Sequence, residues 1–436
     1  MKAMDLKKVF RYPEDRDARS EELLNFALDH VPYYREHWAK YDPGRSCPID
    51  ERFAAMPVLT KADMRMYFPA GAVPDGKSIR QGLDDDEIEY TFTSGTTGDK
   101  VINLWNQPWW HASEMASWEL NENLKKLTYP PKQATLASSL NVGISCEEDL
   151  PFDHRIMGNL LYLNEKANII CWKEAHFKRM VEELNSYRPT VLEANPSLLA
   201  KLCYYVLDHG LEIVSPDVIT FTYELPSELH LAAIRKVFSS PLVSSYGTTE
   251  TAFVMDTCEK GLYHENLAYN RIEFLPLKEE FGGPDLGRMV VSTFGNPWAV
   301  MLRFDVGDLV RIKRGGCTCG RDLGFIAESI EGRVTNSTFT PDGRLVTTRM
   351  ADLAVCGIPG LREYDVCQID RKTYLLRLQG NGASADMREA GYESLKRLYG
   401  PEGTFSVDIV DELLPGPAGK YRRTHTEFEF DDWSLC

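Results

Sequence analysis

The chain has 436 residues, 43% of them hydrophobic and 26% charged, with a formal net charge of −16; it has room for two or three domains around a large core. The acidity is dispersed, which excludes sequence-independent binding to nucleic acid or an anionic membrane, since both need a basic face. No apolar run reaches the roughly 18 residues that span a bilayer, the start lacks a signal-peptide core, and ten scattered cysteines suit a reducing cytoplasm better than a disulfide scaffold.

Residues 18–38 are expected to be helical, with Leu23, Leu24, Phe26, Ala27 and Val31 on a lopsided apolar face. From residue 134 strands and helices alternate. Strands are expected over 135–139 with their flanks, 167–172, 190–194, 217–224 and 241–246. Between them come a helix over 176–187 and a second one capped by Ser197 and stopped by Gly210. This alternation argues for an α/β fold with a mostly parallel, helix-covered sheet. Residues 288–294 and 301–312 read as extended, partly antiparallel structure. Beyond Arg333 the character changes to a hairpin over 363–378, a helix over 385–399 and a strand over 405–410. The expectation is a large domain over 1–332 and a small α+β domain over 333–436.

Five segments carry chemistry. Thr93, Ser94, Gly95, Thr96, Thr97, Gly98 and Lys100 combine hydroxyls, turn glycines and a cation. Such a loop can form an amide-lined concavity for a polyphosphate, although it lacks the Walker A spacing and such a run alone is more often a solvated loop. In 244–251, Tyr246 precedes a turn at Gly247, with Thr249 and Glu250 just beyond. An aromatic there can cover a flat base and a carboxylate can hold Mg²⁺, or the segment is an ordinary strand-to-loop turn. Asp308, after Gly307, offers an acceptor for sugar hydroxyls or caps its own turn. Arg333 can reach a phosphate or ribose from the domain junction, or is a solvated linker residue. Lys420 follows Gly416 and Gly419 on a loop able to swing it into the first domain's site, or it solvates a tail.

In order and spacing, TSGTTGDK, YGTTE, RFDVGD, GR and GPAGK resemble the signature series of the adenylate-forming superfamily: acyl- and aryl-CoA ligases, peptide-synthetase adenylation domains and luciferases. YYREHW (33–38), MPVLTKADMR (56–65), ANPSLLAKL (194–202) and CTCGRDLGFIAESIEGR (317–333) resemble its phenylacetate–CoA ligase branch. The resemblance implies that the 93–100 loop grips the β- and γ-phosphates of ATP. Thr249 and Glu250 would serve the α-phosphate and Mg²⁺. Tyr246, with Thr222, Tyr223 and Glu224, would flank adenine or the acyl pocket. Asp308 would bind the ribose, with Arg333 nearby, and Lys420 would touch the substrate carboxylate and the α-phosphate. It further implies a mobile C-terminal lid, a small-molecule carboxylic acid substrate of aromatic or arylacetic type, CoA as acceptor, and a possible homodimer. His154 falls where the family places residues near the carboxylate or the thiol route, although a lone histidine more often has a structural role. Trp109 and Trp110 read as core or surface aromatics, or as walls of the acyl pocket.

Cys258, His264, Cys317 and Cys319 have the composition and spacing of a structural Cys₃His zinc site, or are ordinary thiols with a surface histidine. The chain departs from the family at the hinge, where Thr335 and Asn336 stand in place of an acidic residue two positions after the GR arginine. It departs again at 341–346, and at 222–224, which reads TYE where GGE is usual. These departures bear on rotation, on CoA use and on the adenine and acyl pockets. The leading expectation is an acyl-adenylate-forming ligase that passes the acyl group to CoA. Its rivals are transfer to a carrier-protein thiol or an amine, a catalytically silent nucleotide-binding protein, and a zinc-stapled interaction module.

Overall fold

The computed structural model describes residues 3–92, 101–142, 146–416 and 419–436. It opens with α1 (Arg16–His30) and α2 (Pro32–His37). The single helix expected over 18–38 breaks at Val31, whose extended backbone is the conformation a following proline favours. Then come α3 (Ile49–Ala55), α4 (Lys61–Tyr67), α5 (Ile79–Asp84), and the antiparallel hairpin of β1 (Glu89–Phe92) and β2 (Ile102–Trp105). α6 (Gln107–Trp118) and α7 (Glu122–Lys125) lead into the main sheet.

That sheet runs through β3 (Gln133–Leu136), β4 (Ile156–Met157), β5 (Leu160–Asn164), β6 (Val191–Ala194), β7 (Val218–Phe221), β8 (Leu242–Thr248), β9 (Ala252–Thr257), β10 (Tyr263–Glu265), β11 (Asn270–Pro276), β12 (Leu286–Thr293), β13 (Phe304–Ile312) and β14 (Ile326–Arg333). Among the described residues its spatial order is β11-β12-β13-β14-β10-β9-β8-β7-β6-β3-β5-β4. β3, β5, β6, β7 and β8 pair in parallel, and β8 to β14 pair antiparallel. β8 belongs to both halves: Leu242–Ser244 pair with β7 and Ser245–Thr248 with β9. Among the parallel strands β7, Val218–Phe221, is buried on both faces, as a strand inside a helix-covered parallel sheet is.

α8 (Glu174–Tyr187), α9 (Pro196–His209) and α10 (Glu228–Val237) cover the parallel half. Asn195, not Ser197, caps α9: its Oδ1 accepts from Ser197 N at 2.9 Å, and Pro196 holds the first helical position. Gly210 ends the helix in the left-handed region. The strand expected over 167–172 is a 3₁₀ turn at Ile169–Cys171, and the strand lies earlier, at β5. A short apolar run alone cannot separate those choices.

Beyond β14 come the β15 (Thr338–Phe339) and β16 (Leu345–Val346) hairpin and α11 (Thr348–Val355). β17 (Leu361–Gln368), β18 (Thr373–Gly380), α12 (Ser384–Tyr399), β19 (Thr404–Ile409) and β20 (Thr424–Thr426) complete a small α+β unit, ordered β19-β18-β17-β20 with its own core. The chain end returns to the main body. Leu435 O accepts from Lys278 N at 2.9 Å, and Asp432 sits 3.0 Å from Arg288. Among the described residues no helix is long and apolar enough to cross a membrane.

Candidate functional site

The site forms where the two halves of the sheet meet, at the carboxyl ends of the parallel strands, the usual place for a ligand in an open α/β sheet. The Tyr246 hydroxyl of β8 donates to Asp308 Oδ2 at 2.6 Å. Asp308 on β13 stands opposite Arg333 on β14, and Arg333 Nε lies 3.1 Å from Asp308 Oδ1. Arg333 Nη1 also donates to Val306 O at 2.9 Å. Burial and the neighbouring Asp308 carboxylate push the Tyr246 phenol well above its ordinary range, while that carboxylate deepens the charge preference of Arg333.

The turn from β8 to β9 is shaped by Gly247. A Cβ there would lie 2.2 Å from Ala252 O, so no other residue fits without moving the backbone. Beyond it, Thr248 Oγ1 meets Thr251 Oγ1 at 3.0 Å, and the Glu250 amide donates to Thr248 Oγ1 at 3.3 Å. Glu250 is 4% exposed, and its buried Oε1 has no hydrogen-bond partner among the described residues. A buried, unpaired carboxylate oxygen is costly, and a hard cation ligated by oxygen would satisfy it. Thr249 and Glu250 share a small cavity with Asn103, Trp105, Trp109 and Trp110.

Two lysines face this acidic corner. Lys420 is half-buried after Gly419, whose φ is 72° and whose Cβ would sit 2.4 Å from Ser138 Oγ. Only a glycine lets that loop approach so closely. Burial, then repulsion from Arg333, pulls the Lys420 ammonium below its ordinary range, with Glu224 and Asp308 opposing. Lys61 opens α4, where Thr60 and Asp63 form a capping box with Thr60 N to Asp63 Oδ2 at 2.9 Å. Burial and Arg333 depress Lys61 as well, against Glu250, Asp308 and Asp305. Sequence reasoning missed Lys61 as a site residue; the only local signal is the helix-start pattern TKAD.

Thr222, Tyr223 and Glu224 follow β7. The Thr222 hydroxyl donates to Glu193 Oε1 at 2.8 Å. Tyr223 holds a φ of 72°, a left-handed conformation that a side chain makes unfavourable. Glu224 accepts from the Ser197 hydroxyl and lies 3.3 Å from Arg423 Nη2. Trp109 is buried and donates Nε1 to Phe294 O at 2.9 Å; Trp110 stacks on Trp105 at 3.8 Å. His154 is exposed on a short turn, Phe152–Arg155. Thr93, Ser94, Gly95, Thr96, Thr97, Gly98 and Lys100 lie outside the described residues. Their flanks do not: β1 and β2 pair from Glu89↔Trp105 to Phe92↔Ile102, which brings β2 to the Glu250 cavity.

A second cluster sits at the far end of β9, about 20 Å along a six-residue strand. One ligand-capable atom each from Cys258, His264, Cys317 and Cys319 lies within 4.8 Å of the others. Cys258 Sγ and Cys317 Sγ are 3.7 Å apart, and Cys319 Sγ is 3.5 Å from His264 Nε2. A tetrahedral zinc with bonds of about 2.3 Å to sulfur and about 2.0 Å to nitrogen has edges of about 3.8 and 3.5 Å. The amides of Lys260, Cys319 and Arg321 point at the three sulfurs, at 3.4, 3.5 and 3.4 Å, as they would to hold thiolates. Burial keeps His264 neutral, the form that ligates metal, with a pKa pushed down to about 4.

The continuous sheet and the small C-terminal unit give the chain the fold seen in solved acyl- and aryl-CoA ligases. It aligns with 2-hydroxyisobutyryl-CoA ligase in the postadenylation state with 2-HIB-AMP at a TM-score of 0.72, with 16% identity over 97% of this chain and 91% of that one. The same ligase in its thioesterification state, with 2-HIB-AMP and CoA, aligns at 0.56, with 17% identity over 96% and 91%. Protein CapK of Staphylococcus aureus is 21% identical over 432 residues, 94% of this chain and 88% of CapK. No family model matches the chain.

Proposed function

We propose that this protein is an ATP-dependent carboxylic acid ligase. The acid's carboxylate attacks the α-phosphorus of ATP, giving acyl-AMP and pyrophosphate. The thiol of CoA then attacks the acyl carbon, and AMP leaves. The observation that carries the reading is the gathering of Lys61, Arg333 and Lys420 around Asp308, with Lys61 and Arg333 also near Glu250, whose Oε1 has no partner among the described residues. In a chain of net charge −16, these three cations would offset a polyanion's charge, and the carboxylates among them would hold its counter-cation and hydroxyls.

The physical problem is to bring a carboxylate to a triphosphate against their mutual repulsion. Lys420 would neutralise the approach of the carboxylate and hold the α-phosphate, and Lys61 would add a second positive charge nearby. Asp308 would accept from the ribose hydroxyls, with Arg333 fixing its orientation. Thr249 would hydrogen-bond the α-phosphate, and the 93–100 loop would enclose the β- and γ-phosphates. Tyr246 and Tyr223 would flank adenine and the acyl group. Glu250 would hold Mg²⁺, which supplies Lewis-acid charge at the phosphates.

Residues 333–436 would form a lid over the 1–332 domain that excludes water from the adenylate. We take the acid to be aromatic or arylacetic, a reading supported by the Trp105–Trp110 stack beside Glu250. Thr335 stands exposed at the hinge and Asn336 accepts from Arg422 Nε at 3.1 Å. That uncharged hinge favours, as a second reading of the acceptor, a carrier-protein thiol or an amine. We further propose that Cys258, His264, Cys317 and Cys319 hold a structural zinc, since four protein ligands leave no open position. ATP–pyrophosphate exchange across aromatic, aliphatic and amino acids, with and without CoA, tests the function. Acid-dependent exchange with a thioester product supports it, and no exchange with any acid overturns it.

A further inference from the structure

Arg423 lies three residues beyond Lys420 and is buried where the C-terminal unit meets the main body. Its Nη2 donates to Ser197 Oγ at 2.8 Å and lies 3.3 Å from Glu224 Oε1 and 3.2 Å from His230 Nδ1, all in the body. Its Nε donates to Glu363 Oε1 on β17 at 3.0 Å. His230 Nε2 in turn lies 3.2 Å from Glu363 Oε2. One guanidinium is therefore shared between the two parts of the chain.

The surrounding contacts have the same character. Asp352 of α11 accepts from Glu228 N of α10 at 2.6 Å, and Arg362 pairs with Asp208 at 2.5 Å. Leu229 of α10 packs into the core of the C-terminal unit. On the other side of Lys420, Gly419 rests against Ser138. Residues 419–423 are thus pinned at both ends, with Lys420 in the pinned stretch.

We propose that Arg423 is a positioning residue for Lys420: its bonds to Ser197, Glu224 and Glu363 lock the C-terminal unit in the arrangement that sets Lys420 in the site, and they release when the unit turns for acyl transfer. The inference rests on the adenylating reading above. Three features carry it. The planar fork of arginine can bridge several acceptors in fixed directions, which a lysine cannot. A buried guanidinium stripped of its partners is strongly disfavoured, so the unit has discrete seated and released arrangements and not a continuum. Glu224 also faces Lys420, so the lock and the site share a carboxylate.

The test compares wild type, Arg423→Lys and the milder Ser197→Ala. Three quantities are read: pyrophosphate exchange with the acid giving the highest wild-type rate, ATP stoichiometry and Kd by calorimetry, and AMP release when CoA is added to the chemically made adenylate of that acid. The expected result for Arg423→Lys is an exchange loss of about 100-fold, the scale of an ångström's misplacement. Its ATP stoichiometry is unchanged and its adenylate turnover is within about threefold of wild type. Ser197→Ala shows a smaller loss of the same pattern. Exchange retained within about threefold in Arg423→Lys overturns the inference, as does a parallel loss of exchange, ATP stoichiometry and adenylate turnover, which marks a folding role alone. Wild-type protein that exchanges no acid overturns the ligase reading itself, and this inference with it.

Discussion

Tyr246 and Asp308 are 62 positions apart in the chain, yet hydroxyl and carboxylate meet at 2.6 Å, with Arg333 on the other carboxylate oxygen at 3.1 Å. Asp308 is therefore held at a fixed angle before any ligand arrives. If it accepts from the ribose, Asp308→Ala removes a hydrogen bond to a charged group, worth about 1.5–3 kcal/mol. The KM for ATP should rise roughly 10- to 150-fold in exchange assays. Tyr246→Phe, which frees one carboxylate oxygen, should have a much smaller effect. An unchanged KM in Asp308→Ala would remove the ribose assignment.

Lys420→Ala should lower exchange about 100- to 1,000-fold, the range for losing one preorganised group that stabilises developing charge, while ATP still binds. The pH dependence has a definite sign. Burial and Arg333 depress the ammonium groups of Lys420 and Lys61, so their charge is lost, as pH rises, below the 10.5 of an ordinary lysine. The alkaline limb of kcat/KM should therefore fall below that value. Bound phosphates favour the charged form, so the limb of kcat should lie higher. Coincident limbs would show that neither lysine meets the nucleotide.

Glu363 should make the C-terminal interface acid-sensitive. Burial acts to raise its carboxyl, but Arg423 and His230 outweigh it and hold the group down at about 2, against an ordinary 4.5. A depressed carboxyl contributes stability that is present above the ordinary value and is lost as pH falls through 4.5 toward 2. Glu363→Gln should lower the calorimetric midpoint at pH 7, and the gap to wild type should narrow across that acid window. A constant gap would mean that the Glu363 charge does not hold the interface.

The cysteine–histidine cluster should carry about one zinc per chain by elemental analysis. Cys317→Ser should abolish the bound metal and leave buried donors unpaired, at a cost on the order of 2 kcal/mol, and the midpoint should drop by several degrees. The folded fraction should keep its exchange activity, because β9 separates the cluster from the Glu250 turn. Protein purified without metal and with an unaltered midpoint after chelation would defeat the zinc assignment.

Tyr223 sits at a φ of 72°. Tyr223→Gly should relieve roughly 1 kcal/mol of backbone strain, partly offset by lost packing, so the midpoint should change little. The acid preference in the exchange panel should shift toward bulkier acids. An unchanged preference would place Tyr223 outside the acyl pocket.

Much of the architecture was legible because its elements are locally specified. The helix expected over 385–399 forms as Ser384–Tyr399, and the strand expected over 405–410 forms as Thr404–Ile409. Alternation and a clear amphipathic face suffice there. The misreading of 167–172 came from a short apolar run that a strand or a buried turn can equally bury. The helix over 18–38 failed at Pro32, where a local proline effect overrode an otherwise continuous face.

Residue order alone sets the chemistry on offer: which hydroxyls, carboxylates, thiols and cations exist, and where glycines permit the backbone to turn. The tertiary structure decided which of them meet. Lys61, nearly 190 residues before Glu250, joins the corner only because α4 packs beside the sheet. Arg423 gains its partners only because the C-terminal unit docks on α9 and α10. The reason is physical: charge and hydrogen bonding act over a few ångströms, and local sequence pattern does not encode distances between residues hundreds of positions apart.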